Sequence, residues 1–437
     1  MQGLDTTIIN TALPAIAHNL QADPLRMHSV VVAYVLSVAA CIPLSGWLAD
    51  RFGVRNIYFA AIIIFSLASL GCAWSDSLNE LLAYRILQGM GGALLLPVGR
   101  LAMLKIIPRT QFLAAMSLMS LAGLIGPLIG PTLGGWMVEY LSWQWIFLIN
   151  LPIGLLGALI TFKAMPNVIE PLVARFDYWG FVLLVVAMVG LCLGIENFAS
   201  PQNSLWWSLS LILAGILAAL MYAYHSHTHS NALFRSRLFK NKIYAIGILG
   251  NFFARIGGNS IPFLLPLMLQ VAFGFEPFIT GLLMIPTVLG SLASKPIIRK
   301  IIQRFGYRRV LLVNTLLVGL CIASFALTTA DTPIWLRAIH FFIFGILNSL
   351  QFVSMNTLTL KDLSQQDASS GNSFLSMIMM LSMSIGVALA GTLVNMLSAY
   401  YGADNLVAAF HVSLICLGCI NIIAAYIFWH IPKNTPV

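Results

Sequence analysis

The amino-acid sequence predicts an all-α membrane protein, and three observations support this fold class. Of its 437 residues, 59% are hydrophobic and only 8% are charged, whereas an ordinary soluble domain is about 25% charged. The mean hydropathy is +0.91, so the chain has more apolar surface than a soluble core can bury. Apolar stretches long enough to cross a membrane recur along its whole length. A repeated loop sequence then divides the chain into two similar halves.

Apolar spans account for most of the chain. A helix needs about 20 residues to cross a hydrocarbon core of roughly 30 Å. The fourteen spans cover residues 4–20, 30–49, 57–74, 81–107, 112–138, 145–162, 178–195, 205–224, 243–271, 279–298, 310–329, 335–360, 374–396 and 406–428. The loops between them are too short to hold a soluble domain. The first span has only 17 residues, about 26 Å of helix, so we expect the first helix to be truncated at its N-terminus.

A short basic loop sequence occurs twice. Residues 50–55 read DRFGVR and follow the second span, and residues 304–308 read RFGYR and follow the tenth. The copies are eight spans apart, whereas two six-span halves in tandem would place them six spans apart. We therefore predict an N-terminal six-helix half at 1–165, two inserted helices with their linkers at 166–240, and a C-terminal six-helix half at 241–437. Duplicated six-helix halves are typical of secondary transporters.

The net charge of +9 predicts how the chain is oriented in the membrane. The loops on one side hold eighteen cations: Arg51, Arg55, Lys105, Arg109, Lys163, Arg175, Arg235, Arg237, Lys240, Lys242, Lys295, Arg299, Lys300, Arg304, Arg308, Arg309, Lys361 and Lys433. The loops on the other side hold only Arg26 and Arg337. Because cytoplasmic loops are enriched in Lys and Arg, we predict a multi-pass protein of the bacterial inner membrane with a cytoplasmic C-terminus. The positive charge then requires no nucleic-acid partner.

The cysteines and histidines favour structural roles. All six cysteines fall inside spans, where they are expected to act as small packing residues. His225, His227 and His229 alternate in a short loop, with no carboxylate or cysteine nearby in sequence. A metal site is one interpretation of this loop, and a solvated, mildly basic loop is the favoured one. We predict no bound metal and no cofactor, with a proton gradient as the energy source.

Four charged residues lie well within spans: Asp5, Arg85, Arg100 and Arg255. Charges inside a membrane are costly, so a functional site is the default hypothesis for each of them. Asp5 is the only acid of the four, and a carboxyl group in a cavity can bind and release a proton as access alternates. The alternative for Asp5 is a helix cap or a structural pair with an arginine.

The three arginines and one acid leave a net charge of +2 within the spans. The planar guanidinium group suits a carboxylate or a phosphate, so Arg100 and Arg255 predict an anionic cargo. The alternative is that their long side chains reach toward the cytoplasm or donate to backbone carbonyls. Polar amides within spans either join helices or contact the cargo. Besides these two arginines, the residues assigned to a substrate cavity are Asn10, Gln88, Asn150, Asn259 and Gln351.

Several motifs resemble those of a known family. The 46–55 loop, GWLADRFGVR, resembles the signature between helices 2 and 3 of the major facilitator superfamily. Further motifs are similar to those of its fourteen-span drug:proton antiporter branch, at residues 4–14, 85–92, 126–135, 143–154 and 176–180. The resemblance covers essentially the whole chain. It implies the major facilitator fold, and family sequences begin well before residue 4.

The resemblance also implies a function. It implies proton-coupled export of drugs or other toxic small molecules by alternating access, and it places Arg85 at the position associated with proton coupling. A structural alternative for Arg85 is donation to backbone carbonyls of neighbouring helices. Nothing in the sequence resembles a Walker loop or a catalytic triad, so we expect no enzyme activity and transport driven by an ion gradient. The expected partners are a small-molecule substrate, protons and the lipid bilayer, and the chain is expected to act as a monomer.

Residues of these motifs are expected to take part in the conformational change of alternating access. They are Gly46, Asp50, Arg51, Gly53, Arg55, Gly126, Pro127, Gly130, Pro131, Gly134, Gly135, Arg304, Gly306 and Arg308. Asp50 either takes part in a latch between the halves or belongs to a simple topology anchor, and the second copy has Gln303 at this position. Gly126, Gly130 and Gly134 share one helix face and permit close helix approach, either as a hinge or as a fixed seam.

Three rival functions remain at this point. The rival within transport is an exporter of organic anions or anionic chelates, with the buried arginines as ligands. A sensor on a transporter scaffold would need a soluble output domain or a long tail, and the sequence contains neither. An intramembrane enzyme would need a paired catalytic constellation within the spans, and the sequence does not contain one.

Overall fold

The computed structural model describes residues 1–170, 175–199, 204–229, 231–402 and 405–432. The side chains of residues 109–110, 112–114, 116–117, 120–122, 124, 199 and 365–366 are also outside the description. Across the described ranges the regular secondary structure is helical. Two cations of the orientation argument, Lys433 and the side chain of Arg109, lie outside the described part.

Within these ranges the helices follow one another with short connections. The α-helices are α1 Gln2–Asn19, α2 His28–Phe52, α3 Val54–Ala73, α4 Leu78–Ile106, α5 Arg109–Tyr140, α6 Trp145–Leu148, α7 Asn150–Ala164, α8 Tyr178–Glu196, α9 Leu205–Thr228, α10 Lys242–Leu267, α11 Pro277–Ser324, α12 Ile334–Leu360, α13 Gln365–Tyr401 and α14 Leu406–Trp429. A π-helical turn, Met268–Ala272, extends α10. The short 3₁₀ segment Ser236–Lys240 lies between α9 and α10.

Every predicted span lies on helix, although the helices divide differently from the spans. The sixth span is split into α6 and α7 at Ile149. The tenth and eleventh spans both lie on α11, which turns sharply at Gly306 with φ of 75°, a conformation that glycine adopts without strain. Eleven described segments are long and apolar enough to cross a membrane, and one of them, Pro277–Leu327, contains both of those spans. The two remaining spans are α1 and α5.

Short connections give the bundle two distinct ends, because helices joined by tight turns run in opposite directions. We call the end that holds Gly53, Gly306 and residues 165–170, 175–177 and 231–241 the basic end. The other end, which holds residues 20–27, 74–77 and 273–276, is called the opposite end. Three hydrogen bonds join the halves toward the opposite end: Gln270 Nε2 to the Thr11 carbonyl at 2.9 Å, Thr132 Oγ1 to the Gly281 carbonyl at 3.2 Å, and Phe278 N to Glu139 Oε2 at 3.2 Å.

The two halves meet along two helix pairs, and the inserted helices lie beside one of them. The halves contact each other through α2 with α13 and through α5 with α11. Helix α8 packs against α2 and α13, and α9 packs against α8. The contacts of α9 are mainly with α8, so α9 lies at the periphery of the bundle. The domain limits at 165/166 and 240/241 stay a prediction.

The glycines of the fifth helix form two close seams. A side chain at Gly126, Gly130 or Gly134 would collide with α1, in the last case with the Ile8 carbonyl. Gly135, on another face, lies against the Pro277 carbonyl of α11 in the second half. Close approach therefore joins α5 both to α1 within the first half and to α11 across the interface. Whether these seams move during transport stays a prediction.

Candidate functional site

A buried ion pair lies in the first half. Arg85 Nη1 of α4 donates to Asp5 Oδ2 of α1 at 2.7 Å. The Arg85 side chain is fully buried and that of Asp5 is 1% exposed. The two residues predicted for proton coupling are therefore direct partners, although they are 80 positions apart in sequence.

Two amides and a hydroxyl complete this buried network. Gln88 Nε2 donates to Asp5 Oδ1 at 2.8 Å, and Asn150 Nδ2 donates to the same oxygen at 3.3 Å. Ser69 Oγ on α3 accepts from Gln88 at 2.8 Å and from Asn150 at 3.4 Å. Gln88 Oε1 also accepts from Arg85 Nη1 at 2.5 Å. The network thus joins α1, α3, α4 and α7 around one carboxylate.

The guanidinium of Arg85 has further partners on α2. Its Cζ lies 4.2 Å from the centre of the Tyr34 ring, and its Nε donates to the Val30 carbonyl at 3.3 Å. Nη2 is buried without a partner in the described part of the chain. A buried pair of this kind is stable only while both charges are present, because one charge alone in a dry interior costs several kcal/mol. Removing or neutralising either member therefore has a large effect on the packing of α1.

A second buried arginine, Arg255 on α10, lies in the other half without an acidic partner among the described residues. Its Nε donates to Asn251 Oδ1 at 2.9 Å and its Nη2 to Asn356 Oδ1 at 3.0 Å. The guanidinium Cζ lies 4.0 Å from the centre of the Phe352 ring. The side chain is 4% exposed. Neutral amides and one aromatic face thus surround a full positive charge.

The other residues predicted to line a substrate cavity do not form a single cluster. Gln351 is 1% exposed; its Oε1 accepts from Asn314 Nδ2 at 2.8 Å and its Nε2 donates to Thr315 Oγ1 at 2.6 Å. Asn10 is 4% exposed and donates weakly to the Thr6 carbonyl at 3.5 Å. Asn259 is half-buried on α10. Gln88 and Asn150 belong to the ion-pair network, and any contact of these five residues with cargo stays a prediction.

Arg100 lies nearer the basic end of α4. Its side chain is half-buried, and its Nε is buried without a hydrogen-bond partner in the described part. The preceding Gly99 lies against Tyr58 of α3. Arg100 is therefore a cationic group with unused donor capacity inside the first half.

An ion-pair cluster lies beside the loop between α2 and α3 and joins the end of α2, the end of α4 and the linker after α7. Lys105 Nζ lies 2.8 Å from Asp50 Oδ1 and 2.7 Å from Glu170 Oε1. The linker after α7 runs along this loop, with the Val54 amide donating to the Val168 carbonyl at 3.3 Å. Gly53 has φ of 92°, and the Asn167 side chain occupies the space that a Cβ would need. Asp50 thus pairs with Lys105 of α4.

The arginines of both loop copies stack on aromatic rings. Arg51 lies over Trp47 at 5.4 Å and Arg55 over Phe162 at 5.7 Å. In the second copy Arg308 lies over Trp429 at 5.0 Å, and Arg304 lies over its neighbour Phe305 at 5.6 Å. Gly46 has open space around its Cα. The acid–lysine cluster therefore belongs to the first copy, which matches the sequence difference between Asp50 and Gln303.

Arg337 lies at the opposite end of the bundle, where its side chain is buried and not exposed in a loop. The side chain is 2% exposed at the start of α12. Its Nε donates to the Thr332 carbonyl at 3.1 Å, and its guanidinium lies 5.0 Å from the Phe273 ring centre. The position of an arginine at the edge of an apolar span does not show whether its side chain points outward or folds back over a turn.

Several site residues had no sequence signal at all. Ser69, Tyr34 and Phe352 are of types that occur throughout apolar helices, so nothing marks the one that contacts a buried charge. Glu196, the last residue of α8, lies just beyond the predicted span, and its Oε1 is 3.9 Å from His28 Nε2 of α2. Only the packing of α8 against α2 reveals that these two side chains meet.

Comparisons with known proteins agree with this geometry. The family model of the Major Facilitator Superfamily matches residues 1–386 and 247–437. Proteins named "Putative multidrug resistance protein MdtD" from Salmonella dublin and Salmonella typhimurium are each 50% identical over 441 residues, covering 100% of this chain and 93% of theirs. The chain therefore belongs to the major facilitator superfamily and is a multi-pass membrane transporter, not an enzyme.

Solved structures show the same fold. The crystal structure of a D-xylose–proton symporter matches with a TM-score of 0.70 at 17% identity, covering 100% of this chain and 96% of that one. A POT family transporter in complex with 5-aminolevulinic acid matches with a TM-score of 0.71 at 15% identity, covering 98% of this chain and 91% of that one. At these identities the likeness concerns the fold.

Proposed function

We propose that this transporter exports drugs or other small molecules across the bacterial inner membrane in exchange for protons. The buried Asp5–Arg85 pair is the observation that carries the proposal. A carboxylate inside a membrane protein is costly, and such residues commonly form proton relays. The name of the Salmonella relatives supports a drug as cargo. The basic end of the bundle is the cytoplasmic end in this proposal, since it holds most of the Lys and Arg.

Protonation of Asp5 would act on the packing of α1. A neutral carboxyl no longer balances Arg85 and accepts more weakly from Gln88 and Asn150, so α1 is held less firmly against α3, α4 and α7. The same helix contacts α5 through the glycine seam and receives the hydrogen bond from Gln270 of the second half. A proton at Asp5 thus changes a helix that reaches from the charge network to the interface between the halves.

Transport in proteoliposomes tests this proposal. With an imposed pH gradient, the chain should move at least one member of a panel of lipophilic cationic dyes and organic acids. Asp5→Asn should abolish the gradient-driven transport and leave binding of the same compound measurable. Asp331→Asn, which changes an exposed acid in a loop, should transport normally. Undiminished gradient-driven transport by Asp5→Asn would place proton coupling elsewhere.

An anionic or chelating cargo is the second candidate, and the surroundings of Arg255 favour it. Its hydrogen-bond partners are neutral amides, so its charge is available to a carboxylate or a phosphate. The unpartnered Nε of Arg100 adds a second cationic group. Charge-assisted hydrogen bonds are each worth about 1.5–3 kcal/mol.

The anion candidate has a separate test. Arg255→Gln and Arg100→Gln should each raise the Kd of an organic anion by roughly ten- to a hundredfold and leave the binding of a neutral compound unchanged. Arg299→Gln, at an exposed position of α11, is the control and should have no effect. If a lipophilic cation binds tightly to the wild type and both variants, and no anion binds, the cargo is cationic.

A further inference from the structure

An apolar cavity of about 560 Å³ lies between the inserted helices and the second half. Its walls are formed by side chains of α8, α9 and α13, among them Leu184, Met188, Met377 and Leu381. The volume lies within the roughly 300–1,000 Å³ typical of small-molecule sites. The cavity is remote from the two buried arginines, since none of their partners lines it. A molecule bound in this cavity would therefore not contact either arginine.

The linker between α9 and α10 closes the basic end of this cavity and is firmly held there. Ser226 Oγ and Tyr222 OH donate to the Phe234 carbonyl at 2.7 and 3.3 Å, and the Phe234 amide donates back to Tyr222 OH at 2.9 Å. Phe234 and Phe239 both pack edge-on against Phe374 of α13, with ring centres 4.9 and 5.3 Å apart. The basic end of the cavity is thus closed by a linker that hydrogen bonds and ring packing hold in place.

Polar and cationic groups are concentrated at this basic end. Ser236, Lys240 and His227 line the cavity there, beyond the apolar walls. The linker segment 231–242, NALFRSRLFKNK, also contains Arg235, Arg237 and Lys242 and has no acidic residue. A cavity with apolar walls and a cationic rim matches a molecule that has an apolar chain and an anionic head.

The cavity opens on the face of α9 that lies toward the membrane. Ala219 and Ala223 at its rim are exposed, and the neighbouring Leu220 and Met221 are 62% and 59% exposed. A lipid of the bilayer can reach such an opening directly. Clusters of basic residues next to membrane helices bind the head groups of anionic lipids, at about 1 kcal/mol per Lys or Arg.

We propose that this cavity binds one anionic phospholipid, with an acyl chain between α8, α9 and α13 and the phosphate at Lys240 and Ser236. Toward the opposite end α8 and α13 contact each other directly, with Cys192 Sγ 3.4 Å from Ser384 Oγ and Thr392 Oγ1 donating to the Ile195 carbonyl at 3.1 Å. At the basic end the cavity separates them. The lipid fills this gap and connects the inserted helices to the second half.

Native mass spectrometry of the full chain, purified in mild detergent, tests the proposal. The probes are phosphatidylglycerol and phosphatidylcholine with identical acyl chains. The wild type should retain phosphatidylglycerol preferentially. Lys240→Gln should weaken its retention about fivefold, and Lys242→Gln, which removes a cation outside the cavity lining, should weaken it less. Ala223→Trp should block retention by filling the opening, and Ala214→Trp, at an exposed position of α9 outside the lining, should not.

Two results would overturn the proposal. Equal retention of both lipids, unchanged in Lys240→Gln and Ala223→Trp, would show that the lipids only coat the outer surface. Retention of the lipophilic cation tetraphenylphosphonium by the wild type, lost in Ala223→Trp, with no preference for phosphatidylglycerol, would make the cavity a cargo site. Neither result would bear on proton coupling at Asp5, which the transport assay tests separately.

Discussion

The two halves each bury an arginine between their first and fourth helices, but they balance its charge differently. In the first half the arginine is on the fourth helix, α4, and Asp5 on α1 neutralises it at 2.7 Å. In the second half Arg255 is on the first helix, α10, and donates to the amide oxygens of Asn251 and Asn356. Both guanidinium groups stack on an aromatic ring, at 4.2 and 4.0 Å.

Under the proposed function, this difference would separate two tasks between the halves. The first site pairs a carboxylate with its arginine, so a proton that binds to Asp5 would change the net charge and the packing there. The second arginine has only neutral hydrogen-bond partners among the described residues, so an incoming anion could neutralise its charge. The two arginines lie on different helices of their halves, α4 and α10, and the presence or absence of one nearby acid distinguishes the two sites.

The largest loss of stability is expected when the Asp5–Arg85 ion pair is broken. Arg85→Gln should lower the free energy of unfolding by about 3–5 kcal/mol, because it leaves Asp5 buried and unpaired. Arg255→Gln should cost much less, about 1 kcal/mol, since its partners are neutral amides that a glutamine still contacts. Thermal or denaturant unfolding in detergent measures both variants.

The double variant Asp5→Asn with Arg85→Gln is the control for this prediction. It removes both charges together and should recover most of the stability lost by Arg85→Gln alone, because pairs removed together cost far less than single members. A single variant as stable as the wild type would mean that the pair is accessible to water, and the contrast between the halves would then fail.

A smaller loss of stability is expected at the two glycine seams that pack against the first helix of each half. Gly134 lies against the Ile8 carbonyl of α1, and Gly386 lies in the same way against the Ile256 carbonyl of α10. Gly134→Ala and Gly386→Ala should each lower stability by about 1–3 kcal/mol through overpacking, seen as a lower melting temperature. Gly123→Ala is the matched control, because its Cβ would meet open space. If Gly134→Ala alone slows transport while stability is unchanged, the first seam moves and the second is fixed.

The smallest effect is expected at the loop copies. Asp50 is 37% exposed, and ion pairs of this exposure contribute about 0.2–1 kcal/mol. Asp50→Asn should therefore change the melting temperature little, since Lys105 keeps Glu170 as a partner. Transport should slow if the cluster acts as a latch, and Gln303→Asn at the equivalent position should not slow it. Equal transport rates in both variants would make the two loops equivalent topology anchors.

Much of the fold was predictable because it depends on local properties. Each apolar span lies on helix, and the DRFGVR and RFGYR copies lie at the turns after α2 and within α11. The residues of the ion pair were also predictable, because a charge inside an apolar span is rare in any sequence. Their partnership was not, since Asp5 and Arg85 are 80 positions apart and residue type alone does not show which of the three arginines within spans meets the acid.

Sequence by itself determined which segments are helices, that the chain is duplicated, and which charges lie inside the membrane, because hydropathy and charge are properties of each segment alone. Tertiary structure decided that Arg85 and not Arg255 receives the carboxylate, that Arg337 folds back over its own turn, and that the inserted helices leave a cavity beside α13. These outcomes depend on which helix faces meet, and helix faces are chosen by the packing of the whole bundle.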